Sequence, residues 1–346
     1  MSRQIKNKGN LMGMTLKDLE IVATEISLPS YAARQMADWL YKKRIKSVDE
    51  MTNISASKRE ILSSLYDIGI TPPVKAIPSS DGTIKYLFAA NENLHIETVY
   101  IPSKERATLC VSSQVGCKMN CLFCMTGKQG FSAQLSANEI LNQIQSIQEI
   151  EELTNIVFMG MGEPLDNPEE LFKVLEILTS SYGYSWSPKR ITLSTIGILP
   201  QLKRFLDNSR CHLAISLHSP YHDERLSLMP VEKIHGIGKI IDLLHQYDFS
   251  HQRRVSFEYI MFDGLNDTER HSKEISRLLK GLDCRVNLIK FHSIPDVNLQ
   301  SCSEAKMEKF RDSLNSSGII CTIRTSRGED IFAACGMLSA AKKNKK

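Results

Sequence analysis

From Thr108 onward, strand-like and helix-like stretches alternate, and this rhythm limits the fold more than any other feature of the chain. Short apolar runs at Thr108–Ser112, Asn155–Met159, Arg190–Thr195, His212–Leu217, Val255–Met261, Arg285–Phe291 and Ile320–Arg324 have strand length and composition. Between most of them lie stretches with helical spacing: Ser136–Glu151, Pro168–Thr179, Gly236–Tyr247, Thr268–Leu279 and Ser303–Asn315. Start signals mark several of these. Ser136 stands three residues before Glu139, and Asp267 just precedes the stretch that carries Arg270 and Glu274. The alternation predicts an α/β fold with a parallel sheet and right-handed crossovers, either open or curled into a barrel. Ligands of such folds sit at the carboxyl ends of the strands, so the residues just past each strand carry the functional information.

The first strand runs into Cys117-Lys118-Met119-Asn120-Cys121-Leu122-Phe123-Cys124, three thiols spaced C-x3-C-x2-C. Soft ligands in such a cluster suit zinc or iron–sulfur chemistry. A closed tetrahedral zinc site takes four protein ligands. The next cysteine downstream is the distant Cys211, and Cys110 upstream is the nearer candidate for a fourth. Three ligands also fit a metal that keeps one position open for a small molecule. The later strand ends are polar or glycine-rich: Gly160-Met161-Gly162-Glu163-Pro164, Ser194-Thr195-Ile196-Gly197 and Ser216-Leu217-His218-Ser219. Glycines there let backbone approach a ligand, and exposed N–H groups bind carboxylate or phosphate.

Ahead of the alternation, residues from about Thr15 to Ile70 read as helical. Leu16, Leu19 and Val22 share one face, a second helix spans Tyr31 to Tyr41, and a third follows Ser55. Lys42, Lys43, Arg44, Lys46 and Lys58-Arg59 either grip phosphates or form a solvated charged face. After Pro72-Pro73, segments Lys85–Ala89 and His95–Ile101, separated by Asn91-Glu92-Asn93, predict a hairpin. Glu97 lies inside its second strand, where a glutamate ordinarily faces water. The expected divisions are a helical domain over residues 1–72, a hairpin region over 73–106, a core over 107–338 and a basic tail over 339–346. No apolar run reaches membrane-spanning length and no signal peptide is present, which predicts a cytoplasmic protein. In a reducing compartment the nine cysteines read as metal ligands or reactive thiols. The formal net charge of +4 is compatible with RNA binding without requiring it.

Together these motifs resemble the RlmN/Cfr family of radical S-adenosylmethionine (SAM) RNA methyltransferases. The likeness rests on Ala107-Thr-Leu-Cys-Val-Ser-Ser-Gln-Val-Gly-Cys117, the cysteine triplet with Phe123, Met159-Gly-Met-Gly-Glu-Pro-Leu165, Leu193-Ser-Thr-Ile-Gly197, Ser216-Leu-His-Ser-Pro220, Leu228-Met-Pro230 and Asp330-Ile-Phe-Ala-Ala-Cys-Gly336. Pro164 and the Ala-Thr-Leu-Cys run are similar to the carbon-2 branch of that family. The resemblance implies a partial (β/α)6 barrel with a helical N-terminal domain and a β-hairpin extension. It implies a 4Fe-4S cluster on Cys117, Cys121 and Cys124, with SAM on the fourth iron, and SAM contacts from Gly162, Glu163, Ser194, Ser216, Leu217 and His218. Where the family commonly places a SAM-contacting asparagine, this chain has Leu288-Ile-Lys-Phe-His292, so His292 is the expected substitute.

The resemblance also implies the reaction. Two SAM molecules are used per turnover: one methylates Cys335, and the other yields the radical that activates that methyl group. The resulting carbon radical adds to adenine, Glu97 is the expected proton acceptor, and Cys110 then attacks the Cys335 sulfur to free the product. A transient disulfide results, which an external thiol reductant reopens; an external one-electron donor feeds the cluster. The implied substrates are an adenosine in the peptidyl-transferase region of 23S rRNA, before assembly encloses it, and the adenosine beside the anticodon of some tRNAs (position 37). The implied enzyme is a monomer with no membrane partner. The alternatives are methylation at carbon 8, a radical SAM enzyme acting on a small molecule, and a zinc-dependent RNA-binding protein without catalysis.

Overall fold

The computed structural model describes residues 8–90, 93–250 and 253–339. Asn91-Glu92 of the expected hairpin turn and most of both terminal tails lie outside these residues. The described chain divides into two compact units. One comprises residues up to Pro73 with Leu135–Glu151 and Glu169–Ser187; the other comprises Val74–Gln134, Glu152–Pro168 and the chain from Pro188.

In the first unit, strand β1 (Gly9–Asn10) pairs in parallel with β2 (Tyr66–Asp67), and three helices lie between them in sequence: α1 (Leu16–Glu25), α2 (Ala32–Ala37) and α3 (Ala56–Leu65). Thr15 and Asp18 cap α1 reciprocally. The expected second helix changes to a π turn over Asp38–Lys42, and this wider turn brings both Leu40 and Tyr41 into the interior. Helices from later in the chain count with this unit because polar side chains tie them to it. Asn138 Nδ2 donates to the Gly69 carbonyl at 2.7 Å, and Asn142 Nδ2 to the Thr71 carbonyl at 2.9 Å.

The second unit is built on one ten-stranded sheet. Antiparallel strands β3 (Lys75–Pro78), β4 (Ile84–Ala89) and β5 (His95–Pro102) lead into β6 (Ala107–Cys110). The expected two-stranded hairpin therefore gains a third strand. A small separate hairpin, β7 (Gln114–Gly116) and β8 (Phe131–Gln134), flanks the short helix α4 (Met125–Gln129). After α5 (Ala137–Gln145) the strands follow as read, and two unread helices join the alternation: β9 (Asn155–Phe158), α6 (Pro168–Thr179), β10 (Ile191–Thr195), α7 (Leu199–Asn208), β11 (His212–Ser216), α8 (His222–Leu228), α9 (Ile237–Leu244), β12 (Val255–Met261), α10 (Glu269–Leu278), β13 (Cys284–Lys290), α11 (Glu304–Ser316) and β14 (Ile320–Arg324). The unread helices are α7 and α8, and α5 and α6 count with the first unit.

All neighbouring pairs from β6 through β14 in this sheet are parallel. The sheet is curled: Thr108 and Cys110 of β6 line the same cavity as Thr322 and Arg324 of β14. The β3–β4 turn bridges to the segment after β14, where Ser79 Oγ donates to Asp330 at 2.5 Å and Gly328 N–H donates to Asp81 at 2.9 Å. One start signal is corrected. Asp267 does not cap α10; Thr268 holds that position without a side-chain bond, and the Asp267 carboxylate accepts from Lys306 at 2.9 Å. The opposite case is Ser136, whose reciprocal bonds with Glu139 cap α5 as expected.

Candidate active site

The cysteine loop hangs from the β7–β8 hairpin and is shaped by backbone bonds. Gly116 has φ +75°, and a Cβ there would lie 1.7 Å from the Gly130 carbonyl oxygen, so only glycine fits. Cys117 N–H donates to that same carbonyl at 3.2 Å. Further along, Leu122 N–H donates to Leu228 O at 2.9 Å, and Met125 N–H donates to Gly336 O at 2.8 Å. Cys117 and Cys121 are buried and Cys124 is half-buried. Phe123 packs edge-on against His218, with ring centroids 4.7 Å apart.

The donor set fits an iron–sulfur cluster better than a single ion. Among the described residues, the one set of three ligand atoms all within 4.8 Å of one another is that of Asp263, Asp267 and Cys302. Lys306 already bonds both of those carboxylates. At least two of the triplet sulfurs therefore stand more than 4.8 Å apart, wider than thiolates sharing one zinc at about 2.3 Å each, a spacing that suits ligands on separate irons. Burial pushes the Cys117 thiol up to about 12, so its thiolate needs a cation to exist at neutral pH. Cys110 does not complete the triplet. It faces the barrel cavity, beside Cys335.

The polar strand ends gather above this loop. Gly162 (φ +101°) packs so closely on Gln114 that a Cβ would meet it at 2.6 Å. Glu163 is buried and accepts from Thr195 Oγ1 at 2.6 Å, Ile196 N–H at 3.0 Å and Leu165 N–H at 3.0 Å. Burial outweighs those donors and raises its pKa to about 7. Ser194 and Ser216 are half-buried on β10 and β11, and Leu217 is fully buried. His218 is buried, with φ +55°. Its Nδ1 accepts from Ile260 N–H at 3.0 Å, which leaves its proton on Nε2, and burial pushes its pKa down to about 3. His292 lines the cavity with both ring nitrogens engaged, Nε2 with Ser326 Oγ at 2.9 Å and Nδ1 with Glu329 at 3.2 Å.

Cys110 and Cys335 share a cavity of about 480 Å³. Cys110 is buried on β6, and desolvation together with nearby Cys335 pushes its thiol up to about 12. Cys335 is an exposed residue, yet crowding within the cavity still removes enough water to raise its thiol. Arg324 opposes the rise at both thiols and is itself held by Glu258 at 3.3 Å. Glu97 is not among the cavity's lining residues. It is buried, contrary to the ordinary expectation for a hairpin strand. Lys85 Nζ lies 3.1 Å from Oε1, and Ser339 N–H donates to Oε2 at 2.9 Å.

Sequence reasoning missed Arg225 and Glu232. Arg225 is fully buried, pairs with Glu232, and donates to the carbonyls of Leu217 at 3.1 Å, Ser216 at 2.9 Å and Ile196 at 3.3 Å. One side chain thus fixes two strand ends. Asn266 was missed as well; it is buried and donates to His218 O and Ile260 O, each at 2.7 Å. None of these residues falls in a periodic or spaced motif. The one available signal was Leu228-Met229-Pro230, which begins three residues after Arg225 at the end of α8.

Known proteins match the chain along nearly all of its length. A family model described as the radical SAM superfamily matches residues 111–273. A second, described as the ribosomal RNA large subunit methyltransferase N-terminal domain, matches residues 9–68. A Parabacteroides distasonis protein named probable dual-specificity RNA methyltransferase RlmN is 66% identical, covering 97% of this chain and 98% of its own. A Syntrophus aciditrophicus protein named dual-specificity RNA methyltransferase RlmN is 40% identical over 96% of this chain and 97% of its own. A crystal structure of a radical SAM methyltransferase from Sphaerobacter thermophilus superimposes with a TM-score of 0.88 at 38% identity, covering 95% of this chain and 99% of that one. With its cysteine loop, polar strand ends and curled parallel sheet, the chain belongs to the RlmN family of radical SAM RNA methyltransferases.

Proposed function

We propose that the protein methylates carbon 2 of an adenosine in 23S rRNA, within the peptidyl-transferase region, and of the adenosine at position 37 of some tRNAs. The observation that carries this reading is the cavity shared by Cys110 and Cys335, next to the cysteine triplet. Carbon 2 of adenine is too electron-poor to attack a methyl donor, so ordinary displacement fails and a radical route is required. A cluster held by Cys117, Cys121 and Cys124 would supply the electron that makes SAM a radical source.

The chain's own residues do the rest. Cys335 carries the methyl group as a thioether inside the cavity, so the carbon to be activated is fixed in place. Addition of that carbon to the base leaves one unpaired electron. Once this electron has left to an acceptor, which a cluster on Cys117, Cys121 and Cys124 would provide, and the ring proton has gone, Cys110 attacks the Cys335 sulfur as a thiolate. The sulfur–carbon bond breaks, its electron pair stays on the released carbon, and that carbon takes a proton to become methyl. The two thiols end as a disulfide, which an external thiol reduces. Arg324 stands where it stabilises thiolate charge at both sulfurs. Glu97 is the proposed acceptor of the ring proton; its bond to Ser339 keeps it next to the loop that carries Cys335. Gly162, Glu163, Ser194, Ser216, Leu217 and His218 form the proposed SAM wall, where neutral His218 offers a single N–H donor. His292 completes that wall only by giving up a present partner.

The test is an anaerobic reaction with SAM, a reductant and synthetic rRNA or tRNA fragments, with digested RNA read by mass spectrometry. Methyl on carbon 2, and a covalent protein–RNA species with Cys110→Ala but none with Cys335→Ala, is the expected result. Methyl on carbon 8, turnover without RNA, or a colourless protein with one zinc each sinks the reading.

A further inference from the structure

The cavity that holds the two thiols runs down to the amino ends of the strands. There it is lined by Arg106 before β6, Lys189 before β10, Arg254 before β12 and Arg285 at the start of β13. All four are exposed. Strand pairing brings their neighbours into one rim: Thr108 opposes Asn155, Thr192 opposes His212, and Ser256 opposes Arg285. His212 joins them, its Nδ1 accepting from Arg254 N–H at 2.9 Å.

These cations are unneutralised. Among the described residues no carboxylate forms an ion pair with any of the four, although Glu105 and Asp283 lie close in sequence. Instead they oppose one another. Beyond its own desolvation, Arg254 is destabilised as a cation by Arg285 and Arg106, and His212 by Arg254 and Lys189. Most of the basic residues singled out in the helical head contrast with this, with exposed Lys46 as the exception. Lys42 and Lys43 pair with Asp38, Arg44 pairs with Glu151, Lys58 donates to the Ile26 carbonyl and Arg59 to the Ile54 carbonyl. A rim of unpaired like charges raises the free energy of the bare protein and concentrates anions at its mouth.

The far end of the cavity is closed by chain. The loop bearing Cys335 is strapped there by Met125 N–H to Gly336 O and by Thr126 Oγ1 to Leu338 O at 2.7 Å. From Arg106 at the rim to Cys110 is four residues, roughly 13 Å of strand. The wall between carries Thr108, Asn155, Thr192, Ser256 and Asn287, polar groups suited to the edges of an unstacked base.

We propose that this amino-terminal mouth is the phosphate-binding entrance of the enzyme: its basic rim holds RNA phosphodiesters while one extruded adenosine passes up the barrel to Cys335. The inference rests on the RNA reading above and adds to it the route and the residues. It moves the phosphate grip from the helical head to the barrel rim.

The test is fluorescence anisotropy of the cluster-loaded protein with a labelled RNA stem-loop over a salt series. Arg254→Gln with Arg285→Gln is expected to weaken binding on the order of tenfold and to reduce the log–log salt slope by about 0.7–0.9 per lost phosphate contact. Arg254→Lys, which keeps the charge, is expected to bind nearly as the parent does, with iron content and melting temperature checking that each variant is folded. Lys42→Gln with Lys43→Gln is the control for the helical head and is expected to leave both quantities unchanged. If the rim variants bind RNA like the parent, or if only the head variant weakens it, the proposal is overturned. Competition with inorganic phosphate separates the two sources of the ligand. Rim variants that lose phosphate binding but keep RNA binding also overturn the entrance. Failure of the RNA reading looks different, because the parent protein itself then methylates no RNA, and both readings fall.

Discussion

Arg225 and Glu232 form an ion pair with both side chains out of solvent, and the guanidinium spends its remaining donors on the carbonyls of Ile196, Ser216 and Leu217. The pair therefore links two strand ends of the proposed SAM wall. Glu232 has a further duty, accepting from Ile237 N–H at 3.1 Å at the start of α9. Breaking a buried pair by removing one partner leaves an uncompensated charge and costs about 3–5 kcal/mol. Glu232→Gln is expected to lower stability by that order in denaturant unfolding, and Arg225→Met with Glu232→Leu to recover part of it. Equal stability of the parent and Glu232→Gln would show that water reaches the pair.

Glu163 makes a prediction about pH. Its folded pKa of about 7 lies above the ordinary carboxylate value of 4.5. Between these values the folded state binds a proton that the unfolded state releases. Its contribution is thus present below pH 4.5 and is lost as pH rises through 7, a change of about 3 kcal/mol. Glu163→Gln does not titrate. Unfolding of both proteins at pH 5 and pH 8 is expected to show the variant gaining on the parent at the higher pH. A difference independent of pH would mean that the three hydrogen-bond donors, not burial, govern this carboxyl.

Gly116 tests the cysteine loop. Gly116→Ala places a methyl group against the Gly130 carbonyl at a positive φ, so the hairpin must open, and the strained backbone alone costs about 1–3 kcal/mol. Iron per chain after anaerobic reconstitution is expected to fall severalfold. Gly130→Ala has a similar φ of +74° with nothing within 4 Å, and it is expected to keep most of its iron. Equal iron in the two variants would separate loop geometry from cluster loading.

Much of this was legible in the sequence because local rules carry it. Strand length, crossover rhythm and the Ser136 cap depend on neighbours in the chain, and the structure follows them within a residue or two at most strand ends. Helices over Leu199–Asn208 and His222–Leu228 went unassigned, the first because Pro200 sits in its opening turn, the second because it is short and lies between Pro220 and Pro230. The cysteine triplet and the polar strand ends were legible from spacing and strand pattern, whereas the expectation that Cys110 and Cys335 act together came only through motif resemblance, because spacing cannot say which distant thiols share a cavity. Arg225, Asn266 and Arg324 were out of reach for a plainer reason: each acts on backbone or side chains brought near only by the folded, curled sheet. Glu97 reads as a wet-face residue until Lys85 and the backbone at Ser339 cover it.

Arg324 gives the sharpest test of the thiol chemistry. It lies near both Cys110 and Cys335 and favours the thiolate at each, while burial pushes the Cys110 thiol up to about 12. Without the guanidinium the thiolate fraction of Cys110 falls, about tenfold for each unit its pKa rises, and attack on the Cys335 sulfur slows with it. Arg324→Gln is therefore expected to accumulate the proposed protein–RNA species, which Cys110→Ala is expected to trap completely, and to release it faster at higher pH. Charge is the variable, so Arg324→Lys is expected to fall between the two. Quenched anaerobic reactions resolved on denaturing gels measure this directly. Loss of product in Arg324→Gln with no trapped species at any pH would place the arginine before adduct formation, in holding Glu258 and the barrel wall.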